Sequence, residues 1–257
     1  MDVFIIGVTA LLASLLTFFS GFGLGTILTP VFAIFFPAQI AIAQTSVVHF
    51  INNIFKLVLI GRHINKKIVF AFGLPAIAGA FAGAYVLIFF SEANSLFVYH
   101  IAEKEFVITP LKIIIGILII LFSIIEVGPA FAAMNFNKGN LLAGGLISGF
   151  FGGLSGHQGA LRSAFLIRYN LSKEEYISTG VAIACLTDIT RISLYLNLLT
   201  QFDLSKNSSI ILIAIVCAVA SALIGNYLLK KATLKFVKTI THALLVIIAL
   251  TIIFGLV

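Results

Sequence analysis

Two stretches of this chain break apolar runs with glycines at matching places: Ser20-Gly21-Phe22-Gly23-Leu24-Gly25 and Ser148-Gly149-Phe150-Phe151-Gly152-Gly153. Each is followed by a short apolar run and then by a longer one that carries a polar stripe. A pattern repeated in this way points to a duplicated architecture. The solvent is constrained as well. Hydrophobic residues make up 61% of the chain, charged residues 10%, and mean hydropathy is +1.18. A soluble domain carries about 25% charge, so the chain reads as a polytopic membrane protein. Irregular backbone inside a bilayer persists only where protein or a water-filled cavity satisfies the freed N–H and C=O groups. Broken spans at corresponding places in two halves therefore point to a transporter with internal repeats.

The apolar segments are 3–19 and 26–36 around the first break, then 40–60, 68–90 and 108–125. Segments 141–152 and 157–168 flank the second break, followed by 174–199, 208–229 and 239–257. Segments 26–36 and 157–168 are shorter than the ~17–25 residues that a crossing needs. Each break is thus expected in a re-entrant or broken hairpin that enters and leaves on one side.

Net charge is +7, and the positives cluster in two loops, Arg62, His63, Lys66, Lys67 and Lys230, Lys231, Lys235, Lys238. They lie between spans without aromatic interleaving, which argues against nucleic acid and for the cytoplasmic side of a membrane. Both basic loops agree with one model in which the acidic 91–107 connector (Glu92, Glu103, Glu105) and both termini are outside. The expected fold is all-α: a single membrane domain over 1–257, with repeat 1 at 1–125, a connector at 126–138 and repeat 2 at 139–257. Each repeat is a broken hairpin plus three transmembrane helices, and the two are inverted. The N-terminus lacks a basic signal-peptide region. Cys185 and Cys217 lie in apolar segments with no metal-binding spacing. Gly79 and Gly83 form a small-residue pair that can pack helices within one chain or in a homodimer.

Helices are expected to begin at Thr26 and near Ser155 or His157. Helix starts offer free N–H groups and partial positive charge, so two that face one cavity favour an anion. Glycines let backbone approach a ligand closely, or else simply permit tight helix packing. Thr45, His49, Asn53 and Lys56 repeat at helical spacing on one face of 40–60. Asp188, Arg191 and Tyr195 do so in 174–199, with Thr179 earlier. Asp188 is the acid well inside a span, one turn from Arg191, and the two can form a structural ion pair. Lys56 is near a span end and can snorkel. Arg162 has no acid in its own segment and suits an oxyanion through paired N–H donors. His49 and His157 can carry protons or be satisfied interior histidines. The candidate substrate-binding set is Gly23, Gly25, Thr26, Thr45, Ser46, His49, Asn53, Lys56, Gly153, Ser155, His157, Gln158, Arg162, Thr179, Asp188 and Arg191. No cofactor, catalytic residue or metal is expected; the partners are a small anion and the lipid bilayer.

The first copy reads SGFGLGTILTPVFAIFF and then AQTSVVHFINNIFK, the second SGFFGGLSGHQGALRSAFLI and then ISTGVAIACLTDITRISLY. A glycine-rich break, a Pro-containing apolar helix and a helix opening with Thr-Ser resemble the TauE/SafE sulfite-exporter family over nearly the whole chain. The second copy departs, with Gly180 where Ser46 stands in the first, and with Gln158 and Arg162 in a region usually more apolar. The resemblance implies export of small sulfur oxyanions or organosulfonates across a prokaryotic inner membrane. No P-loop is present, so the chain itself has no ATP motor. A rival reading takes Gly153-Leu154-Ser155-Gly156 as the nucleophile loop of a rhomboid-like intramembrane protease, with His242 as base. An anion channel is a third.

Overall fold

The structure is a computed structural model that describes residues 2–20, 24–102, 104–127, 140–201, 204–228 and 234–256. Among the described residues, ten α-helices follow in chain order: α1 Asp2–Ser20, α2 Leu24–Ala33, α3 Ala38–Ile60, α4 Lys66–Ser91, α5 Pro110–Val127, α6 Leu141–Ser155, α7 Gly159–Leu166, α8 Lys173–Gln201, α9 Leu204–Leu228 and α10 Leu234–Ile253. Segments Ala38–His63, Lys66–Ser91 and Lys173–Thr200 are long and apolar enough to cross a membrane. α2 and α7, with 10 and 8 residues, are too short to cross.

The sorting of side chains is that of a protein in lipid. α4 exposes Phe70, Leu74, Phe81, Tyr85 and Phe89 and buries Gly73, Ala76, Gly79, Ala80, Gly83 and Ala84. Lipid tails are as apolar as Leu, so close helix contact has to come from small residues. α6 answers with Gly145, Gly149 and Gly153, which meet the backbone of Phe72, Ala76 and Ala80 in turn. Both numbers rise together, so α4 and α6 run parallel at backbone contact. α1 and α9 pair the same way: Gly7 lies against Ile213 and Cys217, and Ser14 Oγ donates to the Ala218 carbonyl at 2.8 Å. α3 packs along α8, and α5 along α10. These two pairs are antiparallel. In the second, Gly116 lies against Ile253 while Ser123 Oγ is 2.5 Å from His242 Nδ1.

The second break is a re-entrant turn. α6 ends at Gly156 with φ of +82°, a conformation that suits glycine. α7 then folds back along α6, bringing Phe165 against Gly144 and Gln158 against Gly152. Helix starts are thus at Leu24 and Gly159 rather than at Thr26 and near Ser155 or His157. Ser155 is the last residue of α6, and Gln158 gives α7 no side-chain cap. In the first break, Gly21–Gly23 lie outside the described residues.

The segment read as a plain connector over 91–107 contains a two-stranded antiparallel hairpin, β1 Phe97–Ile101 and β2 Lys104–Ile108. Alternating aromatic and β-branched residues suit strands, and Tyr99 stacks on Phe106 with centroids 5.3 Å apart. Tyr99 also donates its hydroxyl to the Phe254 carbonyl at 2.6 Å, tying the hairpin to the end of α10.

The α4–α6 seam makes a prediction. A methyl at Gly149 would sit 2.7 Å from the backbone carbon of Ala76, whereas one at Gly7 meets only the side chains of Ile213 and Cys217. Gly149→Ala is expected to cost about 1–3 kcal/mol by overpacking and Gly7→Ala less. Melting temperatures of the detergent-purified variants check the order.

Candidate functional site

One carboxylate organises the interior. Asp188, at 0% exposure on α8, receives five N–H donors from four residues. Its Oδ2 is 2.6 Å from His49 Nδ1 and 3.3 Å from Asn53 Nδ2, both on α3. Its Oδ1 accepts from Gln158 Nε2 at 3.2 Å and from Arg191 Nε and Nη2 at 3.0 and 2.8 Å. A carboxylate only accepts, so His49 presents a protonated Nδ1 to it. The α3 face, the second break and α8 therefore converge on one acid.

Arg191 is committed to structure. Beyond Asp188, its Nη1 donates to the Gly152 carbonyl at 3.3 Å. One turn on, Tyr195 donates its hydroxyl to the Gly153 carbonyl. The expected Asp188–Arg191 pair thus forms and is stitched to the end of α6.

Arg162 differs. It is 5% exposed, lies against Gly180, and among the described residues its guanidinium makes one side-chain hydrogen bond, from Nη1 to Gln158 Oε1 at 3.4 Å. Gly180, which departs from the first copy's Ser46, lies beside the guanidinium, and a Cβ there would stand in van der Waals contact with Nε at 3.4 Å. Lys56, expected near a span end with snorkelling as one reading, is only 4% exposed. It is within electrostatic reach of Arg162, and 3.3 Å from the Asn52 amide oxygen when that amide also donates to Ser14 and Ala218.

The two breaks adjoin. A methyl at Gly25, in the first turn of α2, would sit 3.2 Å from the Gly156 carbonyl and 3.7 Å from Thr45 Cγ2. Thr26 is buried beside it. Thr29, absent from the sequence-derived set, is at the same junction, its Oγ1 3.4 Å from where a Cβ of Gly156 would stand. It lies four residues after Gly25, on the same helix face, and that spacing could have found it.

The remaining candidates scatter. Gly153 faces α4 and the Ala80 carbonyl, the packing role open to such glycines. Ser46 donates to the Ala43 carbonyl of its own helix at 2.6 Å. Thr179 accepts from the Asn65 backbone N–H at 2.9 Å, which ties α8 to the segment before α4. Gly23 lies outside the described residues. Ser155 donates back to the Phe151 carbonyl at 3.1 Å. His157 Nδ1 is 3.0 Å from the Ser155 carbonyl and 3.2 Å from its hydroxyl, and its ring stacks on Phe122. A carbonyl only accepts, so Nδ1 carries the hydrogen there and cannot serve as base toward Ser155. His242, the base of the protease reading, pairs with Ser123 on the α5–α10 seam instead.

The family model for the sulfite exporter TauE/SafE matches residues 6–252. The chain belongs to the TauE/SafE sulfite exporter family. The family is one of membrane transporters of the sulfite-exporter type. No curated protein and no solved structure matches the chain.

In this TauE/SafE chain, removing one partner of the Asp188–Arg191 pair leaves the other buried and uncompensated, at a cost of about 3–5 kcal/mol. Asp188→Asn is expected to lower stability more than the joint change Asp188→Asn with Arg191→Met. A double-mutant cycle on thermal unfolding checks this. Equal losses in the single and joint variants would assign Asp188 a direct role with substrate.

Proposed function

We propose that this chain is a secondary transporter that exports small sulfur-containing anions, sulfite or organosulfonates, across a prokaryotic inner membrane by alternating access. The observation that carries the reading is Arg162, buried in the return helix of the second break, where among the described residues its guanidinium makes one side-chain hydrogen bond, to Gln158. The remaining N–H donors of its guanidinium suit a sulfur oxyanion. Charge balance supports the same ligand. Among the described residues, the buried Lys, Arg, Asp and Glu side chains are Lys56, Arg162 and Arg191 against Asp188, so basic groups outnumber acidic ones in the interior.

The inverted-repeat reading, 1–125 against 139–257, draws support from the packing. Exchanging the first five helices for the last five turns the α1–α9 pair into α6–α4, both parallel. The same exchange returns α3–α8 and α5–α10 to themselves, both antiparallel. A two-fold axis in the membrane plane has that effect. Alternating access then consists of one repeat rocking against the other around the central cluster.

Two measurements test the proposal. Arg162→Ala should lower sulfite affinity of the purified protein by at least ~100-fold, about 2.7 kcal/mol or more, with its melting temperature little changed; wild-type affinity would remove Arg162 from the site. In liposomes, flux should saturate and be stimulated by counter-substrate; single-channel conductance would favour a pore instead. For orientation, a cysteine at Leu96 in the exposed hairpin region should react with an impermeant thiol reagent from outside intact cells, and one at Arg62 should not.

A further inference from the structure

Lys56 lies one turn from the end of α3, where a lysine stem can snorkel to the membrane surface at little cost. It stays buried instead, at the level of a second buried cation. The antiparallel register of α3 and α8 fixes that level. Asn53 donates to Asp188 at 3.3 Å, and the Asn65 N–H donates to Thr179 at 2.9 Å. Lys56, three residues past Asn53, therefore stands opposite the α8 turn that holds Cys185, three residues before Asp188. That layer is about 4.5 Å from Asp188 along the helices, on the side of Arg62 and Lys66.

Arg162 enters the same layer from α7. Its Nη1 donates to Gln158, which itself donates to Asp188, and its Nε borders Gly180 further down α8. Lys56 and Arg162 are within electrostatic reach of each other, and Cys185 is within reach of both.

We propose that Lys56 and Arg162 together seat a doubly charged sulfur oxyanion, and that Lys56 is the residue that selects two negative charges over one. This rests on the transport reading and deepens it. Like charges buried side by side repel strongly where the dielectric is low, and bound negative charge removes that cost. Among the described residues, three buried basic side chains stand against one buried acid, an excess of two positive charges. Arg191 matches Asp188 through two N–H donors, so the excess sits on Lys56 and Arg162. His49, bonded to Asp188, can only add to it by taking a second proton. A dianion cancels the excess; a monoanion cancels half.

The two contacts differ in kind. A guanidinium is a rigid fork that takes two oxygens of one oxyanion and so fixes its orientation. An ammonium is a compact point charge on a flexible stem. Arg162 therefore sets where the anion lies, and Lys56 how much charge it must carry. The cargo narrows to sulfite in its doubly ionised form and to sulfonates that carry a second acidic group.

Displacement of radiolabelled sulfite, kept reduced under nitrogen, from the purified full chain tests this. The competitors are sulfate and methanesulfonate, alike in size and different by one negative charge. Sulfate should bind wild type at least ~10-fold more tightly than methanesulfonate. In Lys56→Gln that preference should fall to about twofold or less, while Lys56→Arg keeps most of it. Arg162→Gln should weaken both competitors. Without ligand, Lys56→Gln should melt no lower than wild type, since it relieves repulsion beside Arg162. Lys56→Met, which fills similar space, serves if the glutamine variant fails to fold. Absence of the preference in wild type, displacement by neither anion included, overturns the selecting role and leaves the transport reading standing. A preference that survives in the neutral variants does the same. Melting well below wild type in both neutral variants assigns Lys56 to structure and also overturns it. A wild-type chain that binds no sulfite overturns both readings.

Discussion

The interior depends on the Asp188 carboxylate. A charge buried in a low-dielectric core survives only when every lone pair is used and counter-charge is at hand. Asp188 meets that condition by drawing donors from α3, from the second break and from its own helix. The same requirement explains why irregular backbone is tolerated next to it. Where α6 ends, the Gly153 and Ser155 carbonyls are taken by Tyr195 and His157, and that of Gly152 accepts from both the Gly156 N–H and Arg191, so the break loses little backbone hydrogen bonding. The acid, its arginine and the interrupted helix are one solution to a single problem of satisfaction.

Around that core, packing follows the rule that lipid imposes. With no gain from hiding apolar area from water, helices hold together by fitting closely, and glycine and alanine carry the contact. α4 and α6 meet through Gly79, Gly83, Gly145, Gly149 and Gly153. Bulky side chains are turned outward, where Phe81 and Tyr85 are more than half exposed. Glycine near the second break therefore has two duties. Gly156 supplies a left-handed turn, while its neighbours supply flat helix faces.

Much of this was legible in the sequence. Helix spacing alone brings Asp188 within reach of Arg191 and aligns Thr45, His49, Asn53 and Lys56, since a period of 3.6 residues leaves little choice. Burial of Arg162 follows from its place in an apolar return segment. What sequence patterns miss is partnership across long separations. Nothing local says that Thr179 bonds to Asn65, that Ser46 turns back on its own helix, or that His242 pairs with Ser123. The β-hairpin was hidden for a different reason: its strands are 5 residues each, and in a chain this apolar an acidic stretch reads first as a loop. Gly153 was ambiguous because the residue type that admits a ligand is also the one that admits a neighbouring helix.

The α5–α10 seam is clasped at both ends. Tyr99 of the hairpin holds the Phe254 carbonyl at one, and Ser123 meets His242 across the two helices at the other. Two polar clasps in an otherwise apolar contact fix the sliding register of the pair, which apolar packing alone leaves loosely set.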